Sequence, residues 1–137
     1  MDVDVLVVGS VNEDVVVSVE WLPDPGETLL ASELATSCGG KGANQAVAAA
    51  RGGGRGALEG AGVDIRWLRR LAGVPTGTAF IQVDARGENT IVVAQGANTR
   101  VALPAGDVEA RVIVTQNEIP PAVQRAAGEL AVRTGAR

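Results

Sequence analysis

Three short polar segments, each close behind a run of strand-forming residues, carry the chemistry that this chain can offer. The first is Gly9-Ser10-Val11-Asn12-Glu13-Asp14, directly after the apolar run of residues 3–8. Ligands of open α/β sheets bind outside the carboxyl ends of the strands, so Asn12 and Asp14 are placed where a ligand would be met. A carboxylate accepts hydroxyl protons and a carboxamide both gives and takes them, which is the chemistry a polyol needs. An Asx turn satisfying the local backbone would use the same residues.

The second segment is Gly39-Gly40-Lys41-Gly42-Ala43-Asn44, running into an alanine-rich stretch that ends at Arg51. A glycine loop opening a helix presents unpaired N–H groups and the positive end of the helix dipole, which suits an anion or a ring of hydroxyls. It is not a Walker loop. That motif needs GxxxxGK followed by Ser or Thr, whereas residue 42 is glycine and residue 35 is alanine. A plain glycine-rich helix entry, with Lys41 a solvated cation, is the alternative. Third, Glu118 lies in the run TQNEIPP behind the apolar residues 112–115. It either joins the same crevice or is an acid favoured by the dipole of the helix that follows.

Positioning these groups requires a particular set of elements. Residues 3–8 read as a buried strand of a parallel sheet. Residues 14–20 (DVVVSVE) and 29–34 read as two strands separated by Leu22-Pro23-Asp24-Pro25-Gly26-Glu27, where two prolines and a glycine force a turn. Residues 78–84 and 89–94 form a hairpin across the link 85–88, with Gly87 late in the turn. Residues 112–115 are a further buried strand. Residues 120–133 carry helical spacing through Val123, Ala126, Ala127, Leu130 and Ala131. Residues 51–62 (RGGGRGALEGAG) show no periodicity and read as no packed element.

Composition bounds the function. The 137 residues are 46% hydrophobic and 20% charged, as expected of a globular domain. A net charge of −4 without a basic stripe argues against nucleic acid as a partner. There is no histidine and only one cysteine, Cys38, so zinc sites and histidine-based triads are excluded for these residues. No apolar run is long enough to span a bilayer, and the opening MDVDVLVVGS lacks the features of a secretory signal; a cytoplasmic location is expected.

The run GSVNEDVVVSVEWLPDPGETLLASELATSCGGKGANQAVAAAR resembles the opening of the ribokinase-like carbohydrate kinases, a family that also holds fructokinases and adenosine kinases. TGTAFIQVDARGENTIVVAQGAN and VIVTQNEIP resemble its next landmarks. The resemblance implies a mostly parallel α/β sheet flanked by helices, with a small β-sheet lid whose strands fall near residues 14–34 and 78–94. It implies sugar contacts from Asn12, Glu13, Asp14, Gly40, Lys41, Gly42, Ala43, Asn44 and Glu118. The lid would add an apolar wall of Ala79, Ile81 and Val93.

By the same resemblance the reaction is transfer of the ATP γ-phosphoryl group to D-ribose with Mg2+ and a monovalent cation such as K+, in a homodimer paired through the lid. A related sugar such as deoxyribose or fructose, or a nucleoside, is an alternative substrate. The family's late DTxGAGD-type motif, which supplies the catalytic base, anion hole and nucleotide contacts, does not occur here. No catalytic residue and no metal ligand are therefore assigned, and residues 1–137 are expected to be the amino-terminal part of one such domain, its nucleotide-binding half outside them. An inactive sugar-binding or lid-dimerisation module is the other reading. The spacers at residues 52–61 and 99–111 are shorter than the family's, so a strand and helix elements are expected to be missing there.

Overall fold

The computed structural model describes residues 3–51, 60, 62–106 and 108–137. Most of the glycine-rich stretch 51–62, including the short spacer expected at 52–61 except Gly60, lies outside the described residues.

Strand β1 (Val3–Val8) pairs in parallel with β6 (Ala110–Thr115), in a register that sets Val3 opposite Ala110 and Val8 opposite Thr115. Helix α2 (Pro121–Thr134) follows β6 and packs back against this sheet. Proline at its first position has no N–H to leave unpaired, and Gly135 at φ 74° closes its far end in the left-handed conformation. The apolar spacing read from the sequence is realised. Ala127 and Leu130 are buried against Leu6, Val8, Val108, Ala110 and Ile119, and this cluster is the main core. Beyond α2 the backbone comes back to the outer edge of β6. There the Arg137 N–H donates to the Arg111 carbonyl at 3.0 Å and the Ile113 N–H to the Arg137 carbonyl at 2.9 Å.

The second sheet has the order β3-β2-β4-β5. Its members are β2 (Asn12–Ser18), β3 (Glu33–Gly39), β4 (Gly77–Val83) and β5 (Asn89–Ala94); β2 and β4 run parallel and the outer pairs antiparallel. Three of the four lid strands expected from the sequence stand within two residues of their positions. The fourth does not: Leu29 to Ser32 are outside any strand, and β3 begins at Glu33. The proline turn is wider than a tight hairpin, and the chain re-enters only where the Ser32 N–H reaches the Ser18 carbonyl at 2.8 Å. Gly39, which the sequence places in a loop, is therefore the last residue of a strand.

The β4–β5 hairpin is held by Asp84, whose carboxylate accepts the N–H groups of Arg86 (2.8 Å) and Glu88 (3.0 Å) and the Arg86 guanidinium. Burial pushes that carboxyl up, but these donors together hold it below the usual carboxylate range. Helix α1 (Lys41–Arg51) starts one residue after β3 ends, and a 3-10 turn (Gly96–Arg100) follows β5. Between that turn and β6 no helix or strand is formed among the described residues, in keeping with the short spacer at 99–111.

Candidate functional site at the seam between the sheets

The chain leaves β1 at Val8, crosses Gly9-Ser10-Val11, and enters β2 at Asn12, so a single extended run belongs to both sheets. The same seam takes in the end of β3, the start of α1, the start of β4 and the 3-10 turn. Close approach explains its glycines. A Cβ on Gly42 would lie 2.5 Å from the Gly9 carbonyl carbon and from the Ser10 nitrogen, so α1 can reach the end of β1 only without one. Gly40, at φ 88°, adopts a conformation that side-chain-bearing residues avoid.

Ser10, 1% exposed, ties the parts together. Its carbonyl accepts the Ala43 N–H at 2.9 Å and its hydroxyl accepts the Gly42 N–H at 3.4 Å, while the hydroxyl donates to Glu118 Oε2 at 2.8 Å. Glu118 also accepts the Lys41 backbone N–H at 3.4 Å and forms an ion pair with the Lys41 ammonium. Glu118 thus sits at the amino end of α1, over a hundred positions away in sequence from Ser10, and not at the mouth of the helix that follows it. The Lys41 ammonium, with burial opposing it and Ser10 adding to it, holds the Glu118 carboxyl below its usual range. Lys41 is a partner of a carboxylate rather than a free surface cation.

In β2, alternation puts Asn12 and Asp14 on one face and Glu13 on the other, where it is exposed. Asn12 is opposite Gly39 on one side and Gly77 on the other; Asp14 is opposite Ser37 and Ala79. Ala79 in turn faces Val93, and Val16, Ile81 and Ile91 make the next row. Residues directly opposite across adjacent strands share a face. Asn12, Asp14, Ala79, Ile81 and Val93 therefore line one side of the four-stranded sheet, polar groups at the seam and apolar groups farther out. Burial first, and then the Glu118 charge, raise the Asp14 carboxyl above its ordinary value. Of the loop residues, Gly42 and Ala43 are buried beneath Ser10, whereas Lys41 and Asn44 are exposed, the Asn44 N–H donating to the Gly40 carbonyl at 3.0 Å.

The structure adds residues that the sequence reading missed. Ser10 had no role of its own in the sequence reading, which took up only Asn12 and Asp14 in that segment. Asn98, 6% exposed, donates from Nδ2 to Asn12 Oδ1 at 2.7 Å and accepts the Val11 N–H at 2.9 Å. Gln116 accepts the Glu118 N–H, and its own buried amide nitrogen has no partner among the described residues. The one signal for Asn98 was its place at the end of the run that closes on GAN.

The arrangement is an acceptor-rich corner beside N–H donors and an apolar wall, which can bind hydroxyls. It does not suit a metal triphosphate. The loop's only cation is committed to Glu118, and no group of three or more His, Cys, Asp or Glu lies close enough to hold a metal among the described residues. Likewise, no helix among them is long and apolar enough to cross a membrane.

Residues 2–61 match the family model described as pfkB family carbohydrate kinase. The chain is 34% identical over 154 aligned positions to the ribokinase of Haemophilus influenzae, covering 96% of this chain and 50% of that protein. An alignment of 154 positions against 137 residues means that the relative carries segments this chain lacks. The deoxyribokinase of Salmonella typhi is 33% identical over 112 positions, 69% of this chain and 37% of that one. Among solved structures, Arabidopsis thaliana ribokinase complexed with ribose and ATP is similar with a TM-score of 0.79 and 30% identity, over 99% of this chain and 52% of its own. The chain spans about half the length of the curated relatives it matches. The fold is accordingly the ribokinase-type α/β fold, with the parallel β1–β6 pair as the part of the central sheet that these residues form.

Proposed function

This chain belongs to the pfkB family of carbohydrate kinases, and from that premise we propose that its seam is the sugar-recognition part of a ribokinase-type phosphotransferase, with D-ribose as the sugar. One observation carries the reading. Asn12, Asp14 and the wall of Ala79, Ile81 and Val93 share a face of the lid, and the Glu118 charge, brought in from the far end of the sequence, reaches Asp14 at its inner edge.

In this reading Asp14 accepts protons from sugar hydroxyls, Asn12 and the backbone N–H groups of the loop 40–44 donate to hydroxyl oxygens, and Glu118 holds the loop in place. Glu13 and the side chain of Asn44, on exposed surface, contact sugar only where the ligand extends past the strand edge. Residues 1–137 form the amino-terminal part of one domain. ATP, Mg2+ and K+ belong to the reaction by family, and phosphoryl transfer draws on a base and an anion hole that these residues do not contain. The lid also pairs two copies: Phe80 and Val92, in register on the face opposite the site, are 51% and 63% exposed and offer an apolar contact. Sedimentation should then show a dimer that Val92→Glu dissociates.

Thermal unfolding with a panel of D-ribose, 2-deoxy-D-ribose, D-fructose and adenosine tests the substrate. A ligand at one hundred times its dissociation constant stabilises by about 2.7 kcal/mol. D-Ribose is expected to raise the melting temperature most; a panel in which no sugar raises it contradicts the reading. The relative named deoxyribokinase makes 2-deoxy-D-ribose the nearest competitor. Stabilisation by ribose without ATP consumption in a coupled assay would favour a sugar-binding module.

A further inference from the structure

The structure assigns to Asn98 the role of a positioning residue that fixes the orientation of the Asn12 carboxamide, so that Asn12 meets its ligand as a hydrogen-bond donor. The assignment rests on the sugar-site reading above and sharpens it.

The orientation follows from a chain of forced choices. The Val11 backbone N–H can only donate, so the Asn98 atom 2.9 Å from it must be the carbonyl oxygen. The other end of the Asn98 side chain is then its NH2 group, a donor, and the Asn12 atom 2.7 Å from it must be an acceptor, Oδ1. Asn12 Nδ2 is what remains to face a ligand. In most sites the two ends of a carboxamide are interchangeable; here a main-chain N–H two links away decides.

The anchor is rigid. Asn98 lies in the 3-10 turn, with its own N–H on the Gln95 carbonyl at 3.0 Å and the neighbouring Ala97 N–H on the Pro75 carbonyl at 2.9 Å. Gly77 makes room for the pair: a Cβ there would stand 2.5 Å from Asn12 Oδ1 and would also collide with Asn98 Nδ2. Both asparagines are buried, so neither can turn over without leaving a polar atom unpaired.

The consequence is a defined pattern on one face of β2. A donor at position 12 and an ionised acceptor at position 14 stand about 7 Å apart along the strand. That pattern selects a ligand with one hydroxyl oxygen to accept from Asn12 and another hydroxyl to donate to Asp14. It rejects a ligand that presents a hydrogen or an unsubstituted carbon opposite Asn12.

Asn98→Asp tests this. The substituted carboxylate still accepts the Val11 N–H but places a second acceptor against Asn12, which must turn its NH2 inward and its oxygen toward the ligand. D-Ribose affinity measured by calorimetry is expected to fall about tenfold or more, with the melting temperature close to that of the unaltered chain. Asn12→Asp, which replaces the donor outright, should lose affinity to at least the same extent. Unchanged affinity in Asn98→Asp beside a loss in Asn12→Asp overturns the role of Asn98 and leaves the sugar site standing. Unchanged affinity in Asn12→Asp instead overturns the sugar-site reading itself. Should Asn98→Asp fail to fold, the side-chain amide resonances of the unaltered protein decide. The Asn98 NH2 protons are expected to be protected from solvent exchange, and the Asn12 NH2 protons to shift on titration with D-ribose. Freely exchanging Asn98 protons, or Asn12 protons that ignore ribose, contradict the assignment.

Discussion

The two sheets solve different problems. The β1–β6 pair is held by burial: Leu6, Val8 and Ala110 pack against Ala127 and Leu130 of α2, and the apolar periodicity of that helix is what the core uses. The four-stranded lid buries one apolar side chain, Ala79, and leaves Ile91, Val92 and Val93 about half exposed or more. What holds the lid is backbone pairing, the Asp84 turn and the asparagine pair at its base. A region built on burial commits its apolar faces to the core, whereas a region built on pairing keeps a face free for something else. The candidate site lies where the two meet.

That difference can be broken from either side. The largest effect is expected from Leu130→Ala, which opens a cavity at a position 1% exposed and should cost about 2–5 kcal/mol in denaturant unfolding. Val92→Thr in the lid, measured on the monomer at low protein concentration, should stay within about 0.5 kcal/mol. Equal losses in the two variants would mean that the lid carries packing of its own. Next in size is Gly42→Ala. The added methyl would drive α1 away from Gly9 and Ser10 and should cost about 1–3 kcal/mol, as overpacking does elsewhere, while weakening sugar binding in the molecules that still fold.

Smaller and of opposite sign is the stability effect of Asp14→Asn. Because burial raises the Asp14 carboxyl, the folded chain keeps that proton to higher pH than the unfolded chain, whose value is near 3.8. Stability from this group therefore falls as pH rises through that window, and the neutral variant should melt slightly higher at pH 7. Glu118 has the reverse sign: its contribution is present above its ordinary value of 4.5 and is lost as pH falls through its lowered one. On acidification, ribose affinity should fall as Asp14 takes up its proton, above its ordinary value of 3.8. A melting temperature for Asp14→Asn below that of the unaltered chain would contradict the assigned sign.

Much of this was legible in the sequence. Strand β1, helix α2 and the β4–β5 hairpin announce themselves through period and turn chemistry, because local residues decide them. The start of β3 was misread, since its register is set by pairing with β2 and not by the Leu29-Leu30 pair that looks strand-like; Leu30 is 94% exposed. Asp14 and the GGKGAN loop drew notice because their residue types and spacing are unusual, and the structure brings both to the seam. Ser10 and Asn98 were not, because a serine and an asparagine acquire meaning only from partners more than eighty positions away. Glu118 also drew notice, but its hydrogen bonds to Ser10 and to the amino end of α1 needed the structure.

The most direct test of the central claim is a calorimetric titration of D-ribose into the unaltered chain and into Asp14→Asn at neutral pH. The account predicts saturable binding to the former and affinity at least about tenfold weaker in the latter, the loss expected when a buried hydroxyl loses its charged acceptor. No binding to the unaltered chain, or equal affinity in the two, would contradict a sugar site at this seam.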